Sequence, residues 1–399
     1  MNTVSVKQLA SHKLLWVIGT AWLFDALDVA LLSFIMPVIK QSWHLTAGQL
    51  GAVSAVTSLG MMIGALGCGY LADKFGRKPV LIGTLLLFSI GNLLLTVTPS
   101  VGWFIAVRLI TGIGLGGELP VAATTIADHY RGTQRSRMLV LVDSFWAIGW
   151  IAASLLSFIV MPMIGWRLTV LITALMGLYA LGLRRHLPAE TTEAGAPSVE
   201  RVAFREALRR VWSPTHRRAT ICLSVLWFVI MFTYYGMFLW LPSVLVLRGF
   251  SLVHGFGYTL LMSLAQLPGY YLAAWLIGVV SRKAVLTTYL IGTMVSAAAF
   301  GLANNPTMII ISGAWLSFFT LGAWGIMIAF TPGQFPADIR GMGMGSAQSI
   351  GRIGATIGPF LIGALMTIGF TIPAIFMVFV GVLIIGIVVL IWGLTDQDA

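Results

Sequence analysis

Charge is scarce in this sequence. Only 9% of its 399 residues are Asp, Glu, Lys or Arg, against about 25% in a soluble globular protein. So few charges cannot cover a water-facing surface, which excludes a soluble enzyme or a DNA-binding protein. Cysteine is scarcer still. Cys68 and Cys222 lie far apart in apolar runs, which leaves no disulfide framework and no metal-ligand spacing. The six histidines, His12, His44, His129, His186, His216 and His254, all fall at the ends of apolar runs or between them. No catalytic constellation emerges, so the expectation is a protein that is not an enzyme and has no cofactor and no bound metal. What abounds is apolar character: 58% of the residues are hydrophobic and the mean hydropathy is +0.94. The chain reads as an all-α integral membrane protein.

A bilayer core about 30 Å thick needs about 20 apolar residues per helix. Twelve such runs fit, near 14–39, 49–72, 80–97, 101–127, 138–160, 165–186, 217–246, 254–279, 285–303, 307–331, 341–366 and 370–393. The first is too long for the apolar part of a signal peptide and no convincing small-residue cleavage site follows, so it is expected to stay in the mature chain. Nearly all of the 24 lysines and arginines then fall on one side. These are Lys7, Lys13, Lys74, Arg77, Lys78, Arg131, Arg135, Arg137, the arginines between 184 and 218, Arg282, Lys283 and Arg340. Only Lys40, Arg167 and Arg248 lie on the other side. That bias places both termini in the cytoplasm, and it accounts for the net charge of +11 without a nucleic-acid partner.

One long connection, 187–216, separates a six-helix unit (1–186) from a second (217–399). Within it Val202, Phe204, Ala207, Leu208, Val211 and Trp212 fall near one helical face, with Arg201, Arg205, Glu206, Arg209 and Arg210 largely opposite. An amphipathic helix lying on the membrane surface is expected there. A constant offset of 205 carries Arg77-Lys78 onto Arg282-Lys283, Arg135 onto Arg340, and Asp143 onto Gln348, as a duplicated unit would. The run Gly69-Tyr-Leu71-Ala72-Asp73-Lys74-Phe-Gly76-Arg77-Lys78 resembles the loop motif of the major facilitator superfamily. That resemblance implies twelve helices in two pseudo-symmetric halves, with spans one, four, seven and ten around a central cavity. It also implies a cytoplasmic gate at Asp73 and Arg77. The second-half copy, ending in Arg282-Lys283, lacks the acid.

Six ionisable residues fall inside spans: Asp25, Asp28, Arg108, Glu118, Asp143 and Arg352. Each costs roughly 2.5–3.5 kcal/mol at a helix centre on insertion scales and usually marks a pathway. Asp25 and Asp28 are three apart and share a helix face. Two close, desolvated carboxylates raise each other's proton affinity, which suits a proton carrier; a structural pairing of one of them with an arginine is the alternative. With no histidine inside a span, a carboxylate must move any proton. Glu118 and Asp143 form a second candidate pair, for which a structural network is an equal reading. Gly112, Gly114, Gly116 and Gly117 imitate a dinucleotide fingerprint, but no strand precedes them and they lie mid-membrane. Glycines so spaced favour close helix packing instead. The superfamily resemblance extends to this run and ties its arginine, Arg108, to proton coupling.

Arg352 lies about 16 Å into span eleven at 1.5 Å per residue, with no acid one turn away. A lone buried guanidinium wants an anion, and its fork suits a carboxylate; an acid across the bundle is the alternative partner. Trp146, Tyr234, Tyr235 and Trp324 belong to cavity-lining spans in the implied fold and suit a flat ring, while Trp240 reads as packing. Gln266 and Gln348 suit a ring nitrogen or an amide.

Longer stretches are similar to the bacterial niacin transporter family (NiaP). They include Trp22-Leu-Phe-Asp25-Ala-Leu-Asp28, Ser144-Phe-Trp146-Ala-Ile-Gly149-Trp150, Tyr234-Tyr235-Gly236-Met-Phe-Leu-Trp240, Gln266-Leu-Pro268-Gly269-Tyr270, Leu321-Gly-Ala-Trp324 and Gly351-Arg352-Ile-Gly354. The synaptic vesicle 2 glycoproteins resemble it in outline. The resemblance implies a monomeric bacterial inner-membrane carrier that takes up nicotinate with protons, and a pocket at Trp146, Tyr234, Tyr235 and Trp324. Symport of benzoate-like acids, carriage of nicotinamide, and ligand sensing without flux remain alternatives. Drug–proton antiport fits less well, because span five lacks the Gly-Pro pattern of that class.

Overall fold

The computed structural model of the protein describes residues 13–75, 77–116, 132–184, 204–336 and 339–394. All regular structure among them is helical. The helices are α1 (Lys13–Trp43), α2 (Ala47–Phe75), α3 (Arg77–Thr96), α4 (Val101–Gly116), α5 (Gly132–Leu155), α6 (Met161–Arg184) and the short α7 (Phe204–Val211). There follow α8 (Arg217–Leu247), α9 (Leu252–Leu264), α10 (Gln266–Leu276), α11 (Arg282–Leu302), α12 (Pro306–Phe330), α13 (Arg340–Thr367) and α14 (Ile372–Gly393). With only Ala265 between them, α9 and α10 count as one interrupted span, so the helices supply the twelve expected spans plus the linker helix. Helix is the form these apolar runs must take, because lipid offers no partner for a free backbone N–H or C=O.

Span five runs on through a π-helical stretch, Leu156–Val160, and turns into span six at Gly165. There φ is 79°, a region open to glycine and costly for other residues. On the same face of the bundle, two of the three isolated cations turn out to be helix caps. Arg167 Nη2 donates to the carbonyl of Thr98 at 2.9 Å, just past α3. Arg248 donates to the carbonyls of Ala303, Phe300 and Gly301 at 2.9–3.0 Å. Both neutralise the negative end of a helix.

Close approach of backbones fixes the core. The glycines of α4 do pack: Gly112 lies against Thr57 and Gly60 of α2, and Gly116 against Met61. On α5, a Cβ at Gly149 would stand 2.6 Å from Ala26 Cβ and 2.9 Å from Leu27 N of α1. On α13, Gly351, Gly354 and Gly358 form a row along α8; a Cβ at Gly351 would stand 3.0 Å from the Trp227 carbonyl. These two seams aim α1 side chains at α5, and α13 side chains at α8.

The linker helix departs from the expectation of one continuous apolar face. Ala207 and Val211 are buried, and Thr220 of α8 donates its hydroxyl to the Val211 carbonyl at 2.7 Å. Leu208 and Trp212 stay exposed. The helix therefore docks on the bundle by a narrow edge, in contact with α13, and keeps only part of its apolar face free. The reason is spacing: Ala207 and Val211, four apart, stack on one side, while Leu208 and Trp212 are rotated by one residue.

Gly149→Val would force α1 away from α5. Overpacking of this kind costs about 1–3 kcal/mol, so the variant should melt at a lower temperature in detergent. A melting temperature equal to that of the parent would contradict the contact.

Candidate functional site

Near mid-depth, six aromatic rings from four helices form one network: Trp22 of α1, Trp146 and Trp150 of α5, Tyr234 and Tyr235 of α8, and Trp324 of α12. Ring centroids are 5.2 Å apart for Trp22–Trp146, 6.1 Å for Trp150–Tyr234, 5.2 Å for Tyr234–Tyr235, 5.3 Å for Tyr234–Trp324 and 6.3 Å for Tyr235–Trp324. These are the separations of attractive aromatic pairs. The Trp146 indole N–H donates to the Tyr234 hydroxyl at 2.6 Å. All six side chains are buried, and the four expected from the sequence are linked through Tyr234, which contacts each of the other three.

Arg352 reaches this network from α13. Its Nη1 donates to the Tyr235 hydroxyl at 3.0 Å, lies 3.5 Å from the Met61 sulfur of α2, and its guanidinium sits 5.9 Å from the Tyr235 ring centroid. The residue is 4% exposed. Among the described residues no carboxylate stands within ion-pair distance of it, so the alternative of an acid across the bundle is not realised there. Gln348, one turn earlier on the same helix, is half-buried. Gln266 opens α10 just past the break at Ala265, is fully buried, and has no hydrogen-bond partner among the described residues for either amide atom. Trp240, by contrast, is a packing residue: its N–H donates to the Pro359 carbonyl at 3.0 Å.

The acids sit beside this network. Asp28 is clamped: one oxygen accepts from Arg108 Nη1 at 2.8 Å and the other from Asn92 Nδ2 at 2.8 Å, with Asp28 and Arg108 both fully buried. The arginine pairing is thus the alternative realised for Asp28. Asp25 is buried one turn earlier on α1. Asp143 accepts from the Trp22 indole N–H at 3.1 Å through Oδ1, while Oδ2 has no hydrogen-bond partner. Trp22 therefore touches an acid with its nitrogen and Trp146 with its ring. Glu118 lies outside the described residues. Asp73 closes α2 and Arg77 opens α3, but their side chains are likewise outside the described set.

Sequence reasoning passed over Asn92, Met61, Trp22, Trp150 and Tyr270 as site residues. Asn92 carried a signal, as a lone amide in an apolar run. Trp22 and Trp150 stood inside quoted motifs with no role. Met61 carried none.

Breaking the buried pair gives a direct check. Asp28→Asn strands the Arg108 charge and should destabilise the protein by about 3–5 kcal/mol, whereas Asp28→Leu with Arg108→Met should recover most of that. Thermal unfolding of both variants tests it; a single variant as stable as the parent would rule out the clamp.

Comparison with known proteins places this geometry in a family. The profile described as Major Facilitator Superfamily matches residues 18–267 and 255–399. A protein named "Putative niacin/nicotinamide transporter NiaP" from Bacillus subtilis is 45% identical over 386 residues, covering 96% of each chain. The "Niacin transporter NiaP" of Acinetobacter baylyi is 38% identical and spans 97% of this chain and 94% of its own. Among solved structures, a D-xylose-proton symporter superposes with a TM-score of 0.80 at 16% identity, over 96% of this chain and 98% of that one. The two sequence relatives are named as transporters, so a transport protein and not an enzyme is the class they share with this chain.

Proposed function

This chain belongs to the major facilitator superfamily, and we propose that its cargo is nicotinate, taken up together with a proton by alternating access of two six-helix halves. One observation carries the cargo assignment. A buried arginine, Arg352, reaches the aromatic network with, among the described residues, only a phenol and a thioether as hydrogen-bond partners. Nicotinate offers what such a site lacks: a carboxylate for the guanidinium and a flat ring for Trp146, Tyr234, Tyr235 and Trp324. Gln348 and Gln266 complete the lining. The names of the two niacin relatives support the same reading.

Charge balance favours a coupled proton. An inside-negative potential opposes entry of an anion by about 2.3 kcal/mol per 100 mV, and one accompanying proton removes that penalty. Asp25, Asp28, Arg108, Glu118 and Asp143 are the coupling groups in this reading. Protonating Asp28 would release Arg108, so the clamp doubles as the element a proton switches. Asp73 and Arg77 act as the cytoplasmic gate. The carrier sits as a monomer in a bacterial cytoplasmic membrane with both termini inside, the two halves being 1–186 and 217–399 joined by 187–216.

Nicotinamide is a second cargo, since one relative's name pairs it with niacin. It is neutral and gains no charge pairing from Arg352, so it ranks behind the acid.

Labelled nicotinate uptake into proteoliposomes with an acidic exterior, competed by benzoate or nicotinamide, tests the cargo; protein-free liposomes control for passive entry of a weak acid. Saturable uptake that ignores benzoate is expected. Strong competition by benzoate would shift the cargo to aromatic acids in general, and binding without flux would leave a sensor. Arg352→Ala should lose nicotinate binding altogether, and retained affinity would remove its role. Asp25→Asn should keep exchange of labelled for unlabelled cargo while losing accumulation driven by a pH gradient. Undiminished accumulation would clear Asp25 of proton transfer.

A further inference from the structure

The face shared by α5 and the broken span α9–α10 carries a ladder of polar groups, and beyond the serine pair at one end its rungs hold unpartnered atoms among the described residues. At one end the hydroxyls of Ser154 and Ser263 meet at 3.4 Å. At the other, Asp143 faces the hydroxyl of Tyr270, and a Cβ at Gly325 of α12 would touch both Tyr270 and Val140. Asp143, Trp150 and Ser154 are seven and four residues apart, so they lie on one stripe of α5. Ser263, Gln266 and Tyr270 are three and four apart along the facing span. The two spans are antiparallel, so Trp150 and Gln266 both stand between the two end contacts.

Both middle groups are fully buried, yet the Trp150 indole nitrogen and both amide atoms of Gln266 have no hydrogen-bond partner. Ser317 and Thr320, on the same face of α12 as Trp324, are also buried without one. Buried polar groups in native proteins are nearly always paired, and here groups on three helices stay open among the described residues. Trp150 itself belongs to the aromatic network: its ring packs on Tyr234 at 6.1 Å, and Tyr234 on Trp324 at 5.3 Å. Arg352 joins the same network through the Tyr235 hydroxyl.

We propose that Gln266, with its amide oriented by the Trp150 N–H, is the group that recognises the ring nitrogen of the cargo and so separates a pyridine carboxylate from a benzene carboxylate. The inference rests on the nicotinate reading above. Arg352 takes the carboxylate, which both acids possess, and so cannot tell them apart. In the structure neither group is bonded to the other; with cargo in place the Trp150 N–H would donate to Gln266 Oε1, leaving the Gln266 amide N–H to donate to the nitrogen lone pair in the ring plane. Benzoate presents a C–H at that place and leaves the donor unpaired. A site built to hydrogen-bond its ligand discriminates strongly against an analogue lacking the partner atom.

The experiment is equilibrium binding of labelled nicotinate, with benzoate as competitor, to the purified full-length protein in lipid nanodiscs. The parent should prefer nicotinate by roughly tenfold to a hundredfold. Gln266→Met, close in volume, should drop nicotinate to the affinity of benzoate and leave benzoate itself within about twofold. Trp150→Phe keeps the ring and removes only the N–H, and should erode the preference severalfold while benzoate still binds. A Gln266→Met protein that retains the parental preference overturns the inference and leaves nicotinate as cargo. A parent that binds both acids equally overturns it too, and a parent that binds neither removes the cargo reading along with it. Should Gln266→Met bind neither acid, Trp150→Phe decides: an intact preference there overturns the proposal, a reduced one upholds it.

Discussion

An uncompensated guanidinium inside an apolar bundle is costly, and the protein treats its two intramembrane arginines in opposite ways. Arg108 is matched by a carboxylate at 2.8 Å, which is itself held by Asn92. Among the described residues Arg352 bonds only to the Tyr235 hydroxyl and the Met61 sulfur. Coulomb attraction strengthens steeply as the local dielectric falls, so the second arrangement favours an anion strongly once one arrives. The aromatic walls, the glycine row behind Arg352 and the tight seam between α1 and α5 all serve to keep that location dry and fixed.

Placement of the acids follows from the same seam. Because Gly149 lets α5 close on α1, Trp22 reaches Asp143 with its indole nitrogen and packs its ring on Trp146. A change in the charge of Asp143 would be felt by Trp22, and through it by the ring wall, with no intervening loop or solvent. Acid and ring wall are adjacent here, sharing one side chain.

Much of this was legible in the residues. Length and apolarity of the runs located the twelve spans, and even the turn at Gly165 falls where one run was expected to give way to the next. Trp146, Tyr234, Tyr235, Trp324 and Arg352 were legible because polar or aromatic residues deep in an apolar run need a reason to be there. The partner of Asp28 was not, since Asn92 and Arg108 lie 64 and 80 residues away and helix periodicity says nothing across that distance. Nor was the docking of α7: an amphipathic pattern gives two faces but not which edge a neighbouring helix covers. Gln266 drew notice as a polar residue, but its lack of a partner exists only once the helices are assembled.

Tryptophan is usually scattered at membrane interfaces, whereas here it is concentrated. Of the fourteen tryptophans, Trp22, Trp146, Trp150 and Trp324 belong to the ring network, and Trp227 packs edge-on against Trp324 at 5.7 Å. Indoles this close exchange excitation energy, so their emission behaves as a shared property of the cluster more than as a sum of independent dyes. A ring entering among them alters that emission at its source. If the cargo binds there as proposed, the protein carries a built-in optical probe of its own occupancy, at the location where a fluorescent label would otherwise have to be introduced.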